Sequence, residues 1–192
     1  MFLVGYSLGG NAMLNWLATE EGRDTVDGAV AVSVPFILRE AAERMAIGSS
    51  RLYQWYLLRK LKDSYRIKFA TREDGPISTR ALATIKDFFG FDDTVTAPLH
   101  GYRDAEDYYS QASCRQRLRA IEVRTLLLHA VDDPFMTPHV IPRPEELSTA
   151  VTLEISEHGG HVGFVGGNAF DPRYWLEERI PRFFQEIAAN RG

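Results

Sequence analysis

The pentapeptide Gly5-Tyr6-Ser7-Leu8-Gly9 is the first point where residue types and spacing amount to chemistry. The pattern G-x-S-x-G, with a strand before it and a helix after it, is that of a nucleophile elbow, a tight turn that lifts a serine Oγ clear of a sheet. Glycines two residues either side, Gly5 and Gly9, are expected to remove the Cβ atoms that would collide there, with Gly10 adding room. The backbone N–H of Leu8, next to the nucleophile, is the expected oxyanion-hole donor. A serine of this kind needs a base and an acid to orient the base. Asp133, in His129-Ala130-Val131-Asp132-Asp133-Pro134, follows an apolar run, and His161 lies in the glycine-rich stretch His158-Gly159-Gly160-His161. The order Ser, Asp, His makes Ser7 the candidate nucleophile, His161 the general base and Asp133 the acid that holds the imidazole tautomer. Asp132 and His158 are the adjacent rivals, with Asp132 read as a loop cap and His158 as a solvated loop residue.

These side chains meet only if the intervening elements bring them together. Met1 to Val4, ended by Gly5, reads as the end of a buried parallel strand, and Leu8 to Ala18 as a helix closing near Gly22. Residues 27–35, DGAVAVSVP, form a second central strand rich in Ala and Val. Residues 123–130, VRTLLLHA, and 152–155, TLEI, are two more strands, each followed by a polar or glycine-rich loop. Residues 174–189 close the chain as an amphipathic helix, with Trp175, Leu176, Ile180, Phe183, Phe184 and Ile187 inward and Pro181 inside it. Between the second and third strands, residues 36–121 read as an inserted helical cap rich in aromatic residues, including a helix over 78–89. Strands alternating with helices predict an α/β class with a mostly parallel sheet, whose chemistry lies beyond the carboxyl ends of the strands. The whole of residues 1–192 is expected to be one partial domain of this kind.

Composition narrows the function. The chain of 192 residues carries a formal charge of −4 and no basic stripe, which argues against nucleic acid as a partner. Its one cysteine, Cys114, supports neither a disulfide framework nor a thiolate zinc site, and is read as a packed residue of the cap. His129 is read as a strand-end cap, and His100 and His139 as loop residues. No cofactor and no metal site are expected. No apolar run is long enough to cross a membrane, and a cytoplasmic location is expected.

The motifs GYSLGGN at 5–11, FDDTVTAP at 91–98, DYYSQAS at 107–113, HAVDDPFM at 129–136 and GGHVGFV at 159–165 resemble those of the YheT-like α/β-hydrolases. The resemblance covers essentially the whole chain. It implies hydrolysis of carboxylic esters, with acyl lipids among the candidate substrates, and it assigns Ser7, Asp133 and His161 the same roles as the spacing does. It also implies several strands and helices ahead of the elbow strand, including the loop that supplies a second oxyanion donor. The chain is therefore expected to be the C-terminal part of that fold, with Leu8 as the oxyanion donor it contains. One such donor is worth about 100- to 1000-fold in rate. The expected function is a serine-dependent carboxylic ester hydrolase acting through an acyl-enzyme on a small-molecule ester. The rival is a catalytically silent fragment that associates with itself through an apolar strand edge at Met1 to Val4.

Overall fold

The computed structural model describes residues 1–72, 74–168 and 170–189. In chain order the elements are β1 (Phe2–Tyr6), α1 (Ser7–Leu17), α2 (Glu20–Thr25), β2 (Gly28–Val32), α3 (Leu38–Met45), α4 (Ser50–Lys68), α5 (Thr79–Thr84) and α6 (Phe88–Phe91). A π-helical turn, Asp92–Thr96, then leads into α7 (Ala97–Leu99) and α8 (Ala105–Ala112). The last part holds β3 (Thr125–Ala130), β4 (Val151–Ser156), β5 (Val165–Asn168), β6 (Asp171–Tyr174) and α9 (Trp175–Ala189).

Two compact units emerge, one of residues 1–37 and 113–192, the other of residues 38–112. In the first, β1, β2, β3 and β4 form a parallel sheet in that order. Residues of β2 and β3 are buried throughout, which is why these strands read as continuous Ala, Val and Leu runs without alternation. One face packs on α1 through Leu14, Leu17, Ala29, Ala31 and Leu127, and the other on α9 through Val30, Val32, Leu126, Phe183 and Ile187. The alternation of even and odd residues between the two faces is the period-2 geometry of a strand. In register, Tyr6 lies opposite Val32 and Val32 opposite Leu128, so β1 and β2 end together and β3 runs two residues further, to Ala130. β1 is the edge strand, with Phe2, Val4 and Tyr6 exposed.

Several expectations are corrected. Gly22 does not end the first helix, which stops at Leu17; it lies inside α2, where a Cβ would come within 2.2 Å of the Trp16 carbonyl oxygen. The Thr19 hydroxyl accepts the Gly22 N–H and so starts α2. The helix expected over 78–89 breaks after Thr84. Asp87 takes an extended conformation and its carboxylate caps α6 through the Gly90 N–H, a local bond that competes with helix continuation. Residues 113–121, read as part of the insertion, pack with the sheet: Cys114, Leu118 and Ile121 belong to the α1-side core, and the Cys114 N–H donates to the buried Asn11 side chain at 2.9 Å. Trp175, expected inward, is partly exposed and stacks on Phe164; Leu176, Ile180, Phe183 and Ile187 are the buried positions of α9. The hairpin β5–β6 has no counterpart among the expected elements; its turn is held by the Asn168 side chain, which accepts the N–H groups of Phe170 and Asp171.

The second unit is helical. Leu58, Tyr65, Leu82, Phe91 and Val95 form one cluster, and Leu38, Ala105 and Tyr109 another. The two motifs of the insertion explain each other here. Asp93 accepts the Ala105 N–H at the start of α8, and Asp92 accepts the Tyr109 hydroxyl at 2.8 Å and the Thr96 hydroxyl at 2.7 Å. Asp92 thus ties the FDDTVTAP segment to DYYSQAS, and Asp93 ties it to the residue that opens α8. Burial holds Asp92 above the usual carboxylate range and pushes the Tyr109 hydroxyl up, so this tie is made by groups poorly suited to carrying charge.

Candidate active site

Ser7 stands at the junction of β1 and α1 with φ of +49°, a left-handed conformation that a non-glycine residue adopts only under constraint. The constraint is visible in its neighbours. A Cβ on Gly5 would lie 2.7 Å from Gly10 Cα, and a Cβ on Gly10 would lie 2.6 Å from Val34 Cγ2 and 3.0 Å from the Gly5 carbonyl oxygen. The turn therefore closes because β1 and α1 touch backbone to backbone at Gly5 and Gly10. A Cβ on Gly9 would meet nothing within 4 Å, so the expectation that Gly5 and Gly9 flank the crowded point is corrected to Gly5 and Gly10. Leu8 follows Ser7 in the first turn of α1, where backbone N–H groups have no partner within the helix and the positive end of the helix dipole lies.

Asp133 and His161 reach the same point from the loops after β3 and β4. His161 Nε2 is 2.9 Å from Ser7 Oγ, and His161 Nδ1 is 2.8 Å from an Asp133 carboxylate oxygen. The other Asp133 oxygen accepts the Phe135 N–H at 2.9 Å, and the Asp133 side chain is 1% exposed against 16% for His161. The acid is thus dry and held from two sides, while the imidazole keeps an edge toward solvent. The Phe135 ring packs against the imidazole with centroids 4.5 Å apart.

The rivals have a different place. One Asp132 oxygen accepts the N–H groups of both Gly159 and Gly160, at 2.9 and 2.8 Å, and these bonds hold its carboxyl below the usual range. Asp132 grips the backbone of the loop that carries His161, a role finer than the loop cap read from the sequence. His158 is 88% exposed and lies 3.6 Å from Asp132. The loop itself needs its glycines: Gly160 has φ of +58°, and a Cβ on Gly159 would meet Ala130 and Phe164 at 2.8 Å. Phe164, with φ of +45°, donates its N–H to the Gly159 carbonyl and closes the loop. The paired i and i+1 glycine N–H groups opposite a loop aspartate were the one signal that could have revealed the Asp132 contact.

His129 is not a strand-end cap. It is 1% exposed within β3, its ring tilts against Phe36, and its Nδ1 has no hydrogen-bond partner among the described residues. Burial holds its pKa below the ordinary value. Among the described residues no three His, Cys, Asp or Glu side chains are gathered as a metal ion would need, and no helix is long and apolar enough to cross a membrane.

The profile of the α/β hydrolase fold matches residues 1–167. The chain belongs to the α/β-hydrolase fold family. It is 49% identical over 180 residues to the putative esterase YheT of Escherichia coli (strain K12), covering 93% of this chain and 53% of that protein. It is 32% identical to a monoacylglycerol lipase of Saccharomyces cerevisiae, covering 96% of this chain and 42% of the lipase. Among solved structures, an esterase of Pyrococcus furiosus superposes with a TM-score of 0.53 at 13% identity, covering 97% of this chain and 53% of the other, a likeness of fold. The chain spans about half the length of the curated relatives it matches. The resemblance drawn from the motifs thus extends along nearly all of this α/β-hydrolase chain.

Proposed function

We propose that this α/β-hydrolase chain carries the nucleophile, base and acid of a carboxylic ester hydrolase, with Ser7, His161 and Asp133 in those roles. The observation that carries the reading is the continuous line from Ser7 Oγ through the His161 ring to Asp133, at 2.9 and 2.8 Å, on a serine of positive φ. Both distances lie within the hydrogen-bond reach that such proton transfer requires.

The steps follow from the atoms. Ser7 Oγ attacks the ester carbonyl carbon as its proton passes to His161 Nε2, and the charge that develops on the carbonyl oxygen faces the Leu8 N–H at the start of α1. Collapse expels the alcohol, which takes the proton from Nε2, and leaves an acyl group on Ser7. Water then gives its proton to Nε2 and adds to the acyl carbon; collapse releases the acid and returns the proton to Ser7. Asp133 accepts the Nδ1–H throughout and stabilises the imidazolium. Acyl lipids are the proposed substrate class, supported by the similarity to a monoacylglycerol lipase. The alternative is association of copies through the β1 edge, where Phe2 and Val4 are exposed, with the site silent; the similarity to an esterase and a lipase favours the hydrolase reading over it.

A fluorophosphonate probe decides between them. The chain is expected to take one label, on the tryptic peptide containing Ser7, and to lose it in Ser7→Ala. An unlabelled chain that sediments as an oligomer would sink the hydrolase reading in favour of the second.

A further inference from the structure

Among the described residues, one face of the helix α4 is left uncovered. Over 19 residues the helix buries one narrow stripe, Ser50, Gln54, Leu58 and Tyr65, inside its unit. On the opposite side Leu52, Trp55, Tyr56 and Arg59 recur at i, i+3, i+4 and i+7, which places them along one face. Leu52 is 74% exposed, Trp55 62% and Tyr56 52%. Single exposed apolar residues are ordinary, but a Leu, a Trp and a Tyr in one turn of one helix form a patch.

Charge sorts the possible occupants. α4 carries Arg51, Arg59, Lys60, Lys62, Arg66 and Lys68 against one acid, Asp63, in a chain whose formal charge is −4. Lys62 is engaged with the Ala83 and Ile85 carbonyls and Arg66 with Asp63; Arg51, Arg59, Lys60 and Lys68 are exposed. The Arg59 guanidinium lies 5.9 Å from the Trp55 ring centroid and the Lys60 ammonium 5.7 Å from that of Tyr56. Each ring therefore carries a cation beside it. An aromatic body with a polar tip, flanked by cations, matches the boundary between acyl chains and anionic headgroups, where Trp and Tyr rest at the glycerol level and Lys and Arg meet phosphates. At this charge density the helix cannot span a bilayer; about 28 Å long, it fits along a surface.

We propose that the outward face of α4 docks the protein on an anionic phospholipid surface, with Leu52, Trp55 and Tyr56 inserted and Arg59 and Lys60 on the headgroup phosphates. The rings and the cations act together, so a neutral bilayer holds the protein weakly. This docking goes beyond the hydrolase reading and stands apart from it, because it is read without turnover.

The full chain is mixed with phosphatidylglycerol or phosphatidylcholine vesicles, and the bound fraction is measured by flotation, in parallel on Ser7→Ala. Retention on phosphatidylglycerol, with little on phosphatidylcholine, and release by salt are expected. One cation near an anionic surface is worth about fivefold in partitioning, so Arg59→Glu with Lys60→Glu is expected to weaken binding by about 30-fold or more. Leu52→Ser with Trp55→Ser and Tyr56→Ser is expected to abolish flotation while the chain stays folded by circular dichroism, these side chains being exposed. Equal binding to both lipids, binding untouched by either set of variants, or no binding at all overturns the proposal. So does absence of binding with self-association that the Leu52, Trp55 and Tyr56 variant dissolves, which would make the face a contact between copies.

Discussion

Two adjacent aspartates give the sharpest discrimination the site allows. In Asp133→Asn the new amide sits where one oxygen already accepts the Phe135 N–H at 2.9 Å. That N–H keeps the amide oxygen, so the amide NH2 is turned toward His161 Nδ1, which lay 2.8 Å from the carboxylate. A donor there forces the Nδ1 to accept, the ring proton moves to Nε2, and Nε2 loses the lone pair that must take the Ser7 proton. In the serine triad template the wrong tautomer costs about 10⁴-fold in kcat, roughly 5.5 kcal/mol of transition-state stabilisation. In Asp132→Asn the outcome differs, because a single oxygen accepts both glycine N–H groups and the amide oxygen can do the same. Exchanging charged for neutral acceptors on this part-exposed side chain costs at most about 1 kcal/mol, or about fivefold. The assay is steady-state hydrolysis of a p-nitrophenyl ester, with the folded fraction of each variant checked by thermal melting. Comparable losses in the two variants, or a larger loss in Asp132→Asn, would refute the assignment of Asp133 as the acid.

Other consequences follow from packing and burial. Gly10→Ala is expected to cost about 1 to 3 kcal/mol in urea denaturation, since its methyl meets Val34 and the Gly5 carbonyl, whereas Gly9→Ala, with open space, is expected to be neutral or to gain up to about 1 kcal/mol of helix propensity. His129 binds a proton less readily folded than unfolded, so the unfolded state takes up more protons as pH falls through the ordinary histidine range. Stability is then highest above that range and declines below it, and His129→Leu is expected to flatten the decline; an unchanged slope would remove His129 as its cause. Burial pushes the Cys114 thiol pKa up, so iodoacetamide is expected to modify it only at the rate of unfolding, and fast labelling under native conditions would contradict its position in the α1-side core.

The parts legible in the sequence are those set by local pattern. Strands β2 and β3 are buried on both faces and so read as unbroken apolar runs, and the elbow declares itself because only glycine permits the approach of Gly5 to Gly10. The parts that were not legible depend on partners distant in the chain. Whether Gly9 or Gly10 is crowded is decided by Val34, on the segment after β2. Whether residues 113–121 join the helical unit or the sheet is decided by Asn11, whose side chain takes the Cys114 N–H. The break after Thr84 follows from a single aspartate choosing to cap rather than to continue.

The same contrast explains why Asp132, read as a loop cap, stood as the rival of Asp133. Adjacent residues in a loop after a strand point in different directions, and here one direction leads to a side chain and the other to a backbone. The loop after β3 thereby holds the loop after β4 twice, once at the imidazole and once at the glycines beside it. A ring fixed only by Asp133 would still swing with its loop, since Gly159 and Gly160 leave that backbone free to turn. A backbone fixed only by Asp132 would leave the ring free to rotate about its own side-chain bonds. The 2.9 Å approach of Nε2 to Ser7 requires both degrees of freedom to be removed, and the two neighbouring carboxylates remove one each.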